Sequence, residues 1–89
     1  MRKEQHLGVL GMERLWKTRT RFSFERRTAG DPLRYDCKPG RLDRRDPALV
    51  CSVISRGEFV GTEVFSRQGF REFVSDRLKG GDIFVEIKE

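Results

Sequence analysis

Few side chains in this sequence could act as nucleophiles, acid–base catalysts or metal ligands. Histidine occurs once, as His6, and cysteine twice, as Cys37 and Cys51. His6 lies in a segment without sustained periodicity, so no Ser-His or Cys-His pair has a rigid position there. One histidine and two cysteines do not fill a four-ligand zinc site, and the glycines fall at turns rather than in a phosphate-binding loop. We expect a protein that is not an enzyme and takes neither metal nor cofactor, with both cysteines buried as small apolar side chains.

One nuclease-like pattern lies near the end of the sequence. Asp82 followed by the Glu-x-Lys of residues 86–88 resembles the arrangement with which restriction-type nucleases hold a divalent cation, and residues 36–38 supply a second Asp-x-Lys. That chemistry requires two carboxylates on one metal ion and a lysine that assists the nucleophile. Only one residue follows Lys88, so we expect no room for the elements that follow this motif in such folds. A metal-dependent nuclease therefore stays as a minor alternative.

The charge of the chain is concentrated in one stretch. The 89 residues carry 19 Lys+Arg and 14 Asp+Glu, a net charge of +5. Residues 13–46 hold eleven basic and six acidic side chains, whereas residues 47–89 hold six basic and seven acidic ones. A chain of this length supports one modest core, which excludes large two-domain enzymes. A positive field confined to one part of a small domain favours association with polyanions.

No apolar run approaches the roughly 20 residues that a membrane span needs. The two cysteines are too sparse for a disulfide scaffold, which agrees with a reducing compartment. We expect a cytoplasmic, intracellular protein without a membrane partner.

The elements that position these residues follow from periodicity. Residues 1–12 lack a sustained pattern and are predicted to be a flexible N-terminal segment, with a single α+β domain over residues 13–89. From Leu15, apolar and polar residues alternate as far as Glu25, which predicts a long first strand. Leu33, Tyr35 and Cys37 alternate in the same way and predict a second strand. The segment 39–47 is bounded by prolines and predicts a loop.

The second half of the chain predicts a hairpin, a helix and a last strand. Two apolar runs, Leu49–Ser55 and Glu58–Ser66, flank a two-residue turn. Residues 67–79 change to helical spacing, with Ser66 as N-cap and glycines 80 and 81 at the C-terminal end. Residues 82–88 alternate again. The fold class is therefore α+β: an antiparallel curved sheet of four to five strands, with one helix from the C-terminal half packed on one face, in the order β-β-β-β-α-β.

The two-residue turn also predicts a register. If Ser55 faces Glu58, directly opposed residues share a sheet face. One face then collects Leu49, Cys51, Val53, Val60, Thr62 and Val64, and it is expected to pack on the helix. The other face mixes apolar residues 54, 59 and 65 with polar ones, and a single helix cannot cover it.

The predicted first strand combines a basic row with neighbouring aromatic residues. Cations that follow phosphates and rings that stack on bases are the components of single-strand binding sites. The alternative is that the aromatic residues belong to the core and that the basic row is a solvated edge. The nucleic-acid contacts that we expect are Lys17, Arg19, Arg21, Arg26, Arg27, Arg34, Arg41, Arg44 and Arg45 on phosphates, with Trp16, Tyr35 and Phe59 as stacking residues.

A family resemblance is carried by residues 61–74. There a strand end continues into the spacing Ser-x-x-x-Phe-x-x-Phe-Val, from Ser66 to Val74. This order of elements resembles the strand-to-helix passage of Pur-type and transcriptional-coactivator-type single-stranded nucleic-acid-binding domains. The resemblance implies a basic, aromatic sheet face that takes the strand, and a homodimer formed through helices.

The sequence favours two functions. The first is a non-catalytic protein that binds nucleic acid, preferably single-stranded DNA or RNA, through the basic sheet face and the arginine loop. The alternative is a small adaptor or inhibitor that binds an acidic protein partner through an exposed sheet face or edge. Sheet edges could also pair between two chains to give a homodimer.

Overall fold

The computed structural model describes residues 5–43 and 46–88, and these form one antiparallel sheet with two helices. The strands follow the order β1-β6-β2-β3-β4-β5 across the sheet. In chain order the elements are β1 (His6–Leu7), α1 (Val9–Thr18), β2 (Phe22–Arg27), β3 (Leu33–Arg41), β4 (Pro47–Ser55), β5 (Glu58–Phe65), α2 (Arg67–Lys79) and β6 (Ile83–Ile87). The α+β class and the antiparallel sheet are confirmed, but the sheet has six strands and there are two helices rather than one.

The additional helix α1 takes the place of the first four residues of the predicted first strand, Leu15 to Thr18. Met12 and Leu15 are buried, and Val9 and Trp16 are partly buried against the core, which is the spacing of an amphipathic helix. The alternation predicted from Leu15 holds only from Phe22 onwards, where β2 begins. Residues before position 13 also take part in the fold, since β1 pairs with β6 and Met12 is fully buried.

The loop between β3 and β4 is shorter than the predicted span 39–47. The ladder continues through Pro39↔Leu49 and Gly40↔Ala48 to the pair formed by residues 41 and 47. A Cβ at Gly40 would lie 2.6 Å from Cγ2 of Val50. Glycine therefore allows the two strands to stay paired up to the loop.

The β4–β5 hairpin has the predicted turn but not the predicted faces. Arg56 and Gly57 both have positive φ, 52° and 80°, and Ser55 pairs with Glu58. A β-bulge then shifts the register: Ile54 pairs with Phe59 while Val53 pairs with Gly61, which leaves residue 60 as the extra one. Because a one-residue slip exchanges the two faces, residues 61, 63 and 65 share a face with Leu49, Cys51 and Val53, whereas residues 62 and 64 lie on the other face.

Helix α2 agrees with the prediction. Oγ of Ser66 accepts a hydrogen bond from the backbone N–H of Gly69 at 2.9 Å, and the helix ends at Lys79. Phe70 and Val74 are buried, and Phe73 and Leu78 pack against the core. The rings of this core contact one another at centroid distances of 4.7 to 6.2 Å. Rings contributed by both helices and four strands thus fix the helices on one side of the sheet.

The opposite side of the sheet carries no helix within the described residues. We call this side the uncovered face. The strand registers place the following residues on it: Ser23, Glu25 and Arg27 of β2, Arg34, Asp36 and Lys38 of β3, Val50, Ser52 and Ile54 of β4, Phe59, Thr62 and Val64 of β5, and Ile83, Val85 and Ile87 of β6. An uncovered sheet face of mixed polarity faces water or a partner.

Candidate nucleic-acid interface

The structure separates the twelve predicted contact residues into four groups. Arg26 and Tyr35 lie in the layer between sheet and helices, and Trp16 and Lys17 lie on α1. Arg19, Arg21, Arg27, Arg34, Arg41 and Phe59 lie on the uncovered face or at the ends and edges of the sheet. Arg44 and Arg45 fall outside the described residues. The predicted basic row of one strand is therefore wrong, because Lys17 belongs to a helix and residues 19 and 21 belong to the connection that follows it.

Tyr35 has no surface to offer a nucleic-acid base. Its side chain is buried and stacks on Phe24 with ring centroids 4.7 Å apart and an interplanar angle of 6°. Burial raises the pKa of the Tyr35 hydroxyl, an effect partly offset by the neighbouring Arg26 guanidinium. The stacking role predicted for Tyr35 is thus replaced by a role in the core.

Arg26 is held from three sides beneath α2. Its Nε lies 3.2 Å from Oδ2 of Asp82, and its Nη1 donates to the Tyr35 hydroxyl at 3.1 Å. Its guanidinium also lies over the ring of Phe73, 5.8 Å from the centroid. The side chain is only 16% exposed, so the predicted phosphate contact is replaced by structural contacts within the domain.

Trp16 and Lys17 line a groove of about 420 Å³ on the helical side, away from the uncovered face. Trp16 meets the Phe70 ring edge-on at 5.5 Å, and the Arg67 guanidinium lies over its other surface at 5.5 Å. The Trp16 ring is half-buried and already contacts a cation and an aromatic ring. Trp16 and the residues of the uncovered face therefore do not form one binding surface.

Arg27 and Arg34 lie on the uncovered face, each beside a carboxylate. Nε of Arg27 donates to Glu25 at 2.7 Å, and Nε of Arg34 donates to Asp36 at 2.8 Å. Asp36 also accepts a hydrogen bond of 2.6 Å from Ser23. Partial burial raises the pKa of Asp36, but the hydrogen bonds from Ser23 and Arg34 and the charge of Arg34 outweigh it, so the pKa lies below its usual value. Asp36 therefore stays ionised and neutralises the centre of this face.

Four cations meet at the end of the sheet where β2 begins and β6 ends. They surround a cleft of about 670 Å³, which we call the cationic cleft. Its lining consists of Arg19, Arg21, Phe22, Ser23, Asp36, Cys37, Lys38, Ser52, Glu86, Ile87 and Lys88. The cleft forms because β3 and β4 extend beyond the start of β2, as β2 pairs only as far as the rung Phe22↔Cys37. Lys38 and Lys88 were absent from the predicted contacts, although both are the lysines of the two Asp/Glu-x-Lys patterns in the sequence.

Charge in the cationic cleft is unbalanced. The two carboxylates that line it are Asp36, bound to Ser23 and Arg34, and Glu86, which lies 3.8 Å from the Arg19 guanidinium. Among the residues that the structure describes, the cations at positions 21, 38 and 88 form no ion pair. These three exposed side chains remain able to bind an anion.

The acidic residues of the nuclease-like pattern do not meet. Asp82 immediately precedes β6 and Glu86 lies within it, so the two residues are roughly 13 Å apart along the chain at about 3.3 Å per residue. Each is also beside an arginine, Arg26 and Arg19 respectively. A divalent cation accepts oxygen ligands within about 2.6 Å, so these two carboxylates do not share one. Over residues 5–43 and 46–88, no cluster of three or more His, Cys, Asp or Glu side chains is placed to hold a metal ion.

A second exposed feature is the edge strand β5. Phe59, Val60 and Val64 are 65%, 59% and 49% exposed. Within the described residues β5 pairs on one side only, with β4, whereas the opposite edge of the sheet is the two-residue strand β1. A long apolar edge strand has unpaired backbone groups and can accept another strand.

The chain was compared with protein-family models, curated proteins and solved structures. No protein-family model, curated protein or solved structure matches the chain. In the part of the chain that the structure describes, neither helix has the length and apolar character required to cross a membrane.

Proposed function

We propose that the protein is a non-catalytic binder of single-stranded nucleic acid, which it holds through the cationic cleft and the adjoining uncovered face. The observation that carries the proposal is the convergence of Arg19, Arg21, Lys38 and Lys88 around one cleft. These residues come from three separate parts of the chain. A phosphate backbone is the polyanion that such a cluster of exposed cations attracts most strongly.

The polar groups of the cleft suit phosphate and sugar contacts. Lys38, Lys88 and Arg21 are exposed and supply several N–H donors each. The hydroxyls of Ser23 and Ser52 lie beside them in the lining. Contacts of this kind position a nucleic acid without reading its sequence.

A single strand fits this surface better than a duplex. Beyond the cleft, the uncovered face has the partly exposed Ile83 and Ile87 of β6 on one side and Val50 and Ile54 of β4 on the other, with Phe59 at the edge. Unpaired bases can lie on such apolar side chains, whereas the bases of a duplex are stacked inside it. Because Trp16 and Tyr35 are not on this face, stacking contributes less than in sites built from several aromatic residues, and electrostatic attraction contributes more.

The test is a fluorescence-anisotropy titration of a labelled single-stranded oligonucleotide across a salt series. The variant Arg21→Ala/Lys38→Ala/Lys88→Ala removes the three cleft cations that form no ion pair with any described residue. Each lost phosphate contact on a single strand lowers the slope of log K against log salt by about 0.7, so the slope should fall by about 2. Affinity at low salt should fall with it.

The matched control replaces three exposed cations outside the cleft, in the variant Arg14→Ala/Arg56→Ala/Lys79→Ala. This variant has the same net charge as the cleft variant, so a general effect of charge would be equal in the two proteins. We expect the control to retain most of the affinity and slope. Absence of binding by the unmodified protein at low salt, or equal losses in both variants, would contradict the proposal.

A second function is favoured by the exposure of β5. We propose as the alternative that this edge pairs with a strand from another protein molecule, namely a second copy of this chain. The edge carries Glu58 and Glu63, so it does not suit the acidic partner expected from the sequence. An acidic protein would instead be attracted to the cationic cleft.

Sedimentation velocity over a range of protein concentrations tests the alternative. The substitution Val64→Lys places a charge on the exposed edge and should abolish self-association, since inserted lysines block strand pairing. Gln68→Lys, on the exposed surface of α2, serves as control with the same added charge. A chain that stays monomeric at all concentrations would rule out self-pairing through β5.

A further inference from the structure

The two cysteines of the sequence occupy one rung of the sheet. Cys37 of β3 pairs directly with Cys51 of β4 in the antiparallel ladder. In such ladders directly opposed Cα atoms are about 4.5 or 5.5 Å apart, depending on the type of pair. Both distances fall within the range of about 4.4 to 6.8 Å that disulfides span. The spacing of the two Cα atoms therefore permits a bond between the two sulfur atoms.

The two thiols share one buried environment. Both side chains are on the helix-covered side, 4% and 0% exposed, and both are reduced. Burial raises the pKa of the Cys37 thiol, and the adjacent Cys51 thiol raises it further through a hydrogen bond and its charge. The next rungs on the same face hold apolar partners, Tyr35↔Val53 on one side and Pro39↔Leu49 on the other.

Cys37 is also one of the residues that line the cationic cleft, next to Lys38. The cations around this opening attract small anionic reagents. Cys51 is not among the lining residues, so a reagent that enters from the cleft meets Cys37 first.

We propose that Cys37 and Cys51 form a cross-strand disulfide by exchange with an anionic low-molecular-weight disulfide that enters through the cationic cleft. In the first step the Cys37 thiolate, a minor species because burial raises the pKa of this thiol, attacks one sulfur of the reagent, forms a mixed disulfide and releases one thiol. In the second step the Cys51 thiolate attacks the sulfur of Cys37 and displaces the second thiol. The two cysteines lose two electrons and two protons in total, and both are recovered in the two thiols released.

The bond would join β3 and β4 across the loop that begins after Arg41. It closes the chain between residues 37 and 51 and therefore restricts the unfolded state. Its formation is a property of the sheet and does not depend on nucleic-acid binding.

The experiment uses the whole protein and glutathione disulfide as the reagent. After incubation, free thiols are alkylated under denaturing conditions and the intact mass is measured, with a non-reducing peptide map to locate the bond. We expect one intramolecular link between Cys37 and Cys51, with the loss of two hydrogens and no alkylation. The midpoint of thermal unfolding should rise by about 10 °C or more, and a reducing agent should reverse the change.

Two variants identify which cysteine reacts in each step, and a refolding experiment tests the route of entry. Cys51→Ser should stop at a mixed disulfide on Cys37, whereas Cys37→Ser should stay unmodified because Cys51 is fully buried. In the second arm the urea-unfolded protein is refolded in the same reagent, which removes access as a variable. A disulfide that forms only on refolding would overturn the route through the cleft, and two free thiols in both arms would overturn the pairing itself.

Discussion

The contacts of Arg26 predict a loss of stability rather than a loss of binding when this residue is truncated. Arg26→Ala removes the ion pair with Asp82, the hydrogen bond to Tyr35 and the cation–π contact with Phe73. It also leaves the Asp82 carboxylate, 17% exposed, without its arginine. Removing one partner of a fully buried pair costs about 3 to 5 kcal/mol.

The magnitude for Arg26 lies below that range for two reasons. About one-sixth of each side chain is exposed, and the Nε–Oδ2 contact of 3.2 Å lacks hydrogen-bond geometry. The hydrogen bond to the Tyr35 hydroxyl contributes about 1 kcal/mol and the cation–π contact about 0.5 to 1 kcal/mol. With the desolvated carboxylate, the expected decrease in the free energy of unfolding is about 2 to 3 kcal/mol. The midpoint of thermal unfolding should fall by roughly 10 to 20 °C.

Urea denaturation of Arg26→Ala and of Arg56→Ala provides the comparison. Arg56 forms an ion pair of 2.8 Å with Asp31, which is shorter than the Arg26 pair but has side chains 77% and 52% exposed. Because solvent screens this pair, its loss should cost no more than about 0.5 kcal/mol. A double-mutant cycle with Asp82→Ala should give a coupling energy of at least about 1 kcal/mol.

Equal losses in the two arginine variants would contradict this prediction, since the burial of an ion pair, and not its distance, should determine the loss of stability. Arg26→Ala should also leave the salt dependence of oligonucleotide binding unchanged. A reduced slope in a variant that remains folded would return Arg26 to the group of phosphate contacts.

Three further outcomes are expected. Phe70→Ala should cost about 3 to 5 kcal/mol in urea denaturation because Phe70 is fully buried among three aromatic rings, while Phe59→Ala should stay within about 0.5 kcal/mol; similar losses would contradict the assignment of the core. Ser66→Ala should cost about 1 kcal/mol and increase amide exchange in the first turn of α2, since the cap donor at Gly69 loses its acceptor. The folded-state pKa values of Tyr35 and Cys37 are raised. Each group therefore contributes its full stabilisation below its unfolded-state pKa, which is about 8.5 for cysteine and about 10 for tyrosine, and this stabilisation is lost as the pH rises above that value. Tyr35→Phe should remove the decrease in the free energy of unfolding above about pH 10, as measured by urea titrations at several pH values. An unchanged pH profile in this variant would contradict the prediction.

Local patterns were sufficient for the elements of the second half of the chain. The hairpin around Arg56, the helix capped by Ser66 and the alternation of the last strand were predicted with nearly the observed bounds. Each of these elements is specified by residues close together in sequence: a turn glycine, a cap hydroxyl and a consistent apolar period.

In the first half of the chain, local patterns were compatible with both a strand and a helix. Residues 15–25 alternate well enough to predict a strand, but Met12, Leu15 and Trp16 also fit a helical period, and the structure has the last four residues of α1 at 15–18. Short apolar runs satisfy both periods, and packing against Phe70 of a distant helix decides between them. The bulge at Val53/Ile54 had no sequence signal, yet it exchanges the faces of β5.

The concentration of basic charge in residues 13–46, and the presence of enough aromatic and branched residues for one core, can be read directly from the amino-acid sequence. Which cations remain exposed and available depends on the folded arrangement. Arg26 lies beneath a helix, Arg27 and Arg34 lie beside carboxylates, and Arg21, Lys38 and Lys88 meet at one cleft. The physical reason is that exposure and pairing of a charge depend on strands and helices far apart in sequence, whereas the charge itself is a property of each residue.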